Sequence, residues 1–217
     1  MSLPGNLATR VWLVLFLVYI AFFYWYTSFG GPLTSEEITH YRGVVEKMSD
    51  GDPERIAVWL HFMQTDTGDD FGMISVVDMR ETPTQTEGVE PGESSDEVLA
   101  KYTEPFFGRV VRSAAHPVLV GSAAAPAIDI WGIEGASDWK QGVVVRWRSR
   151  RDILKFMETM GDEAGDNSTI HDFKIAAIEK TIAYPLDPWF HLGDPRLVIA
   201  LVFAVIGLSV RARTTSQ

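Results

Sequence analysis

The 217-residue chain contains no cysteine, which excludes a disulfide framework and thiolate metal sites and leaves its redox compartment open. Histidine is sparse as well: His40, His61, His116, His171 and His191 include no pair at helical or hairpin ligand spacing, and no His-Glu-x-x-His occurs. No metal and no cofactor are therefore expected. Nor is there a phosphate loop, because Gly30-Gly31, Gly132, Gly135 and Gly142 fall where turns need them. No Ser/His/Asp order or nucleophile elbow is readable. Acidic residues are missing from both ends, all 29 lying between Glu36 and Asp194. Within those limits they face 15 basic residues, a net charge of −14. Such a charge opposes nucleic acid and anionic surfaces, so no nucleic-acid partner is expected.

What is present is a long uncharged run. Val11 to Phe29 holds no acid, base or histidine and is long enough to cross a hydrocarbon core of about 30 Å as a helix. Trp12 at its near end and Trp25 and Tyr26 at its far end suit the two membrane-water interfaces. A cleaved signal peptide is the rival reading, opposed by the aromatic block Phe22 to Tyr26 directly before the candidate cleavage site. A second span is expected over 195–212, long enough if Arg196 and Arg211 reach outward to the head groups. Arg10 before the first span and Arg211 and Arg213 after the second place both termini on the cytoplasmic side by the positive-inside rule. The acidic region then faces the other compartment.

Between the spans, residues 30–52 read as a helical connector, opened by a capping box of Thr34 with Glu37. Asp52-Pro53 starts the next helix, in which Ile56, Trp59, Leu60 and Met63 share one face. Phe71 to Met79 reads as a strand, and Arg80 to Ser95 as a loop. Ser94 with Glu97 caps a helix to Arg112 that Pro105 is expected to kink or split. Two short strands follow, Val118–Ser122 and Ala127–Ile133. In Trp139 to Phe156 a strand of alternating Val143, Val145 and Trp147 meets a helix capped by Ser149 and Asp152. An acidic turn at 161–167, a helix over 171–180 and a strand Thr181–Leu186 close the domain, and 188–194 is a linker. The tails are 1–10 and 213–217.

This order over 53–187 is a ferredoxin-like α+β plan, and particular stretches match a known pattern. Asp69-Asp70-Phe71-Gly72 with the strand to Met79, then Trp139, Val143 to Val145, Arg146, Trp147, Arg148, Ser149 and Arg150 with the helix through Phe156, then His171, Ala176, Ala177, Ile178 and Thr181, resemble a family of uncharacterised bacterial proteins in the dimeric α+β barrel superfamily. The resemblance spans about 120 of the 217 residues and implies two protomers pairing their sheets into a barrel. Ser75 and Asp78 stand where the family often has Asn and Arg, and Arg148 where it has Pro. The two membrane segments are not typical of it.

Four polar residues are candidates for ligand contact: His171 at the barrel mouth, Arg146 as an anion partner, Asp78 and His116. Against two of them stands a structural role, a helix-start hydrogen bond for His171 and a salt bridge, with Asp78 as its candidate acid, for Arg146. Trp147, Trp139, Val145 and Arg148 are candidates for an interface, and Arg10, Trp12, Trp25, Tyr26, Arg196 and Arg211 for membrane anchoring. The expected function is a non-catalytic accessory or assembly subunit of a membrane protein complex in the bacterial inner membrane, embedded in the lipid bilayer and able to form a homodimer through the sheet face. The alternative is a barrel that binds or transforms a small apolar ligand, in the manner of oxygenase-like or isomerase-like relatives. That alternative rests on fold analogy.

Overall fold

The structure, a computed structural model, describes residues 6–162 and 164–215; the expected tails lie partly outside this range. Among the described residues the order is α1 (Leu7–Tyr26), α2 (Ser35–Met48), α3 (Pro53–Gln64), β1 (Phe71–Met79), α4 (Ser95–Val110), β2 (His116–Ser122), β3 (Gln141–Trp147), α5 (Arg150–Asp162), α6 (Ala164–Ala177), β4 (Ile178–Leu186) and α7 (Pro195–Thr215). Residues up to Ser28 and from Pro188 onward make one compact unit, and Phe29–Asp187 another.

In the first unit, α1 and α7 are each long and apolar enough to cross a membrane. They pack antiparallel. Tyr26 at the end of α1 lies under the Arg196 guanidinium at the start of α7, 5.6 Å from ring centroid to cation. The Tyr19 hydroxyl donates to the Arg196 carbonyl at 3.2 Å. At the other end Trp12 sits so close to Gly207 that a Cβ there would come within 2.5 Å of the indole.

The second unit is an α+β layer pair. Its sheet has the order β2-β3-β1-β4 with every neighbouring pair antiparallel. Local signals set the helix starts: Thr34 and Glu37 cap α2 reciprocally, as Ser94 and Glu97 cap α4. Asp52 accepts from Glu54 and Arg55 N–H groups with Pro53 in the first turn of α3. Ser149 Oγ accepts from Asp152 N–H at 3.1 Å. One sheet face, bearing Phe71, Met73, Val143, Val145 and Trp147, packs under α2, α3, α4 and α5 through Val45, Met63, Val110 and Leu154. Further along the same face Met79 meets Val98 and Leu99 of α4 and Ala176 and Ala177 of α6. All five helices of this unit contribute to one layer, and burial of these side chains at about 25 cal/mol per Å² is the main stabilising term.

Several expectations are corrected. Residues 30–52 are no mere connector: Leu33, Tyr41 and Val45 are part of the core. Residues Ala127–Ile133 form no strand; Pro126 lacks the N–H a ladder needs, and Gly132 and Gly135 take left-handed φ of 70° and 68°. The hairpin stops after Ala123 N–H to the Lys140 carbonyl and Ala127 N–H to that of Ser137. Helix α4 runs unbroken through Pro105. Backbone at 161, 162 and 164–167 is helical instead of a turn. Strand β4 begins at Ile178, where a bulge at Asp78/Met79 lets Met79 pair with it. The Arg80 to Ser95 loop is tied down by buried Val89, by Arg80 and Thr84 N–H bonds to Ala177 and Ala176, and by Lys101 on the Gly88 carbonyl.

Candidate functional site: the uncovered face of the sheet

Side chains alternate across a strand, so the face opposite the core is fixed by the register. It consists of rows running across the sheet. His116, Arg146, Gly72 and Leu186 form one row; Leu119, Val144, Ile74 and Tyr184 the next; Gly121, Gly142, Val76 and Ile182 a third; Asp78 and Lys180 close the end. Leu119, Ile182, Tyr184 and Leu186 are exposed. The middle of this face is apolar, and no described helix of the sheet's own unit packs over these four side chains.

Between β2 and β1 the paired glycines Gly121 and Gly142 leave a hollow. A groove of about 310 Å³ lies over them, walled by Ile74, Val76, Leu119 and Trp139. Trp139 is held there by its indole N–H donating to the Gly135 carbonyl at 3.3 Å. Gly135 in turn lies beside Lys180, so the long β2–β3 loop bends back to the Asp78–Lys180 end of the sheet.

The polar candidates divide between the two sides of the sheet. Arg146, His116 and Asp78 share the uncovered face, whereas His171 is exposed on α6, which packs against the core face. Arg146 is only 3 % exposed despite its position. Its Nε donates to Asp70 at 3.0 Å and its Nη1 to the Ala114 carbonyl at 2.9 Å. Asp78 faces Lys180 at 3.7 Å, and His116 Nδ1 lies 3.1 Å from the Pro117 carbonyl. Arg146 and Asp78 are thereby committed to internal pairs, which neutralise both ends of the face.

The interface candidates also divide. Trp139 borders the groove, but Trp147 and Val145 are buried core residues, 2 % and 6 % exposed. They sit on the helix side because Trp147 pairs with Phe71 and Val145 with Met73. Arg148 forms a fork with Asp152, at 2.9 and 2.6 Å, where the expectation was an outward contact. Among the residues expected to anchor the chain in a membrane, Tyr26 is buried beneath Arg196, and Arg196 is turned to Asp194 by contacts at 3.0 and 2.5 Å. Trp12 packs on Gly207, while Arg10, Trp25 and Arg211 are exposed.

The rest of the basic cluster is structural. Arg150 donates to the Phe62 carbonyl at 2.5 Å and Thr65 Oγ1 at 2.9 Å, and meets Asp66 and Asp187. Arg151 grips Glu37 and the Gly31 and Pro32 carbonyls. Its hydrogen bonds hold the Glu37 carboxyl down at about 2. Sequence reasoning missed Lys174 and Tyr102. Burial lowers the Lys174 pKa and raises that of Tyr102 to about 12, and the ammonium lies 5.6 Å from the Tyr102 ring centroid. No spacing rule marks a lysine that turns inward from a helix.

No family model and no curated protein sequence matches the chain. Among solved structures it is similar to methylated RPA0582 protein, with 19 % identity and a TM-score of 0.49 over 64 % of this chain and 93 % of that one. A second likeness is to RPA0582 itself, a protein of unknown function from Rhodopseudomonas palustris, with 19 % identity and a TM-score of 0.45 over 62 % and 94 % of the two chains.

Proposed function

We propose that this chain is a two-pass membrane protein whose acidic domain is a non-catalytic contact module, serving as an accessory or assembly subunit of a bacterial inner-membrane complex. The domain is ferredoxin-like in this reading, supported by the strand order β2-β3-β1-β4 with the helices of α4 and α5–α6 crossing on one face. The uncovered apolar face carries the functional argument. Four strands about 4.8 Å apart and roughly eight residues long at ~3.3 Å each present on the order of 500 Å² in projection. With side-chain relief this approaches the ~800 Å² per partner of a standard interface. Because the Asp78–Lys180 and Arg146–Asp70 pairs leave the face neutral, a second copy can approach it despite the domain's net negative charge. We assign the face to that second copy.

The cysteine-free chain makes the test direct. Val76→Cys on the uncovered face and Glu54→Cys on α3 are compared in native membranes with a short bis-maleimide. A product of twice the chain mass from Val76→Cys alone is expected. Products of other masses would replace self-pairing by a different subunit, and no product from Val76→Cys would remove the sheet face from the contact. The groove over Gly121 and Gly142 favours a second reading, in which a small apolar ligand lies there. A fluorescent fatty acyl probe displaced by Gly142→Leu, but not by Glu54→Cys, would support that reading.

A further inference from the structure

A short irregular segment joins the end of β4 to α7. Within it Trp189 is 97 %, Phe190 73 % and Leu192 74 % exposed. Three large apolar side chains so fully uncovered in eight residues are costly in water. The chain itself indicates what surrounds them. Asp194 N–H closes a turn onto the His191 carbonyl, and α7 begins at the next residue, its Leu197 and Val198 N–H groups bonding to the Asp194 carbonyl. At no more than ~3.5 Å per residue, Leu192 lies within about 10 Å of the start of α7, and the turn shortens the reach of Phe190 and Trp189. The interfacial zone on each side of the hydrocarbon is itself roughly 5–8 Å deep.

A second observation converges on the same end. Because α1 and α7 are antiparallel, the exposed Tyr24 and Trp25 at the end of α1 lie at the end of the helix pair where α7 starts. The opposite end carries Arg10, Arg211 and Arg213. Two separate stretches of sequence thus bring aromatic rings to one end of the pair. That end is also nearly neutral, since Arg196 is forked onto Asp194. We infer that Trp189, Phe190 and Leu192 form an interfacial membrane anchor that lies in the headgroup layer of a zwitterionic bilayer, completing an aromatic belt with Tyr24 and Trp25.

This inference rests on the membrane-spanning reading, and the test separates the two. The full chain is reconstituted in phosphatidylcholine vesicles with an environment-sensitive nitrobenzoxadiazole probe on Phe190→Cys or, separately, on Leu17→Cys in the middle of α1. Lipids with a nitroxide shallow or deep in the acyl chain and aqueous iodide serve as quenchers. The expected result is that the probe at 190 is quenched severalfold more by the shallow nitroxide than by iodide, unchanged by high salt, while the probe at 17 follows the deep nitroxide. Should the probe at 17 behave so but that at 190 answer to iodide, or to neither quencher, the anchor is overturned and the spans stand. If the probe at 17 escapes the lipid quenchers, the spans fail and the anchor with them.

Discussion

At residue scale the basic cluster after β3 shows how the same side chain has very different weight in different surroundings. Arg150 is buried, stacked 4.7 Å over the Phe62 ring and ringed by acceptors, whereas Arg148 is partly exposed in a pair with Asp152 one turn on. Replacing Arg150 by Met strands buried Asp66, whose other partners are the Leu33 and Gly68 N–H groups. A loss of about 3–5 kcal/mol is expected for breaking such a pair, against less than about 1 kcal/mol for Arg148→Ala, both read from denaturation of the full chain in detergent. Glu37 provides a pH signature. Its carboxyl is held at about 2, chiefly by the Arg151 hydrogen bond, so its contribution is fully present above its ordinary value of 4.5 and is lost as pH falls from there through about 2. Glu37→Gln should flatten the acid limb of a stability-pH profile in that window and leave the pH dependence above it unchanged. Lys174 has the opposite effect. Burial lowers its pKa, so the folded state disfavours its charge, and Lys174→Met should raise the melting midpoint by a few degrees, on the scale of about 4 °C per kcal/mol.

Elements were legible where the signal is local. The caps at Thr34, Asp52 and Ser94 start three helices as their spacing predicts, and Phe71–Met79 is the strand that its β-branched alternation implies. Boundaries set by tertiary contact were not. Pro105 stays inside α4 because Phe106, Phe107 and Val110 beyond it are packed into the core, and the last strand starts early because Ile178 joins the buried cluster with Met79. Of the site, strand alternation set Arg146 on the face opposite Val145 and Trp147 but could not reveal that Asp78 shares that face or that each is neutralised there, since Asp70 and Lys180 come from other parts of the chain. The α1–α7 pair is likewise a tertiary fact, resting on Gly207 against Trp12. Small residues allow helices to approach in lipid. Gly207→Val should therefore lower the stability of the full chain, and Trp12→Ala should largely restore it. Additive losses in that double-mutant cycle would show that the two do not touch.

For the whole molecule the proposed two-pass reading raises the question of which side of a membrane the acidic domain would occupy, and the helix pair sharpens it. Antiparallel α1 and α7 bring Arg10, Arg211 and Arg213 to the same end of the helix pair. Among the described residues of the helix pair, the cation at the opposite end is Arg196, which is forked onto Asp194 and stacked on Tyr26, so it offers little net positive charge against the inside rule. In the proposed two-pass topology the domain lies on the extracytoplasmic side, and protease access tests that proposal. The Arg80 to Ser95 loop is a poor target because Val89 is buried and Lys101 holds Gly88. The β2–β3 loop is a good one: Ile128 is 99 % exposed and Trp131 projects beside Gly132. Chymotrypsin added to intact spheroplasts should cut at Trp131 and split the chain in two, while sealed inside-out vesicles should protect it until detergent is added. Cleavage in the sealed inverted vesicles, with protection in spheroplasts, would reverse the orientation while leaving the antiparallel pair intact, and the positive-inside argument would then have to yield to the strongly acidic domain as the element that sets the topology.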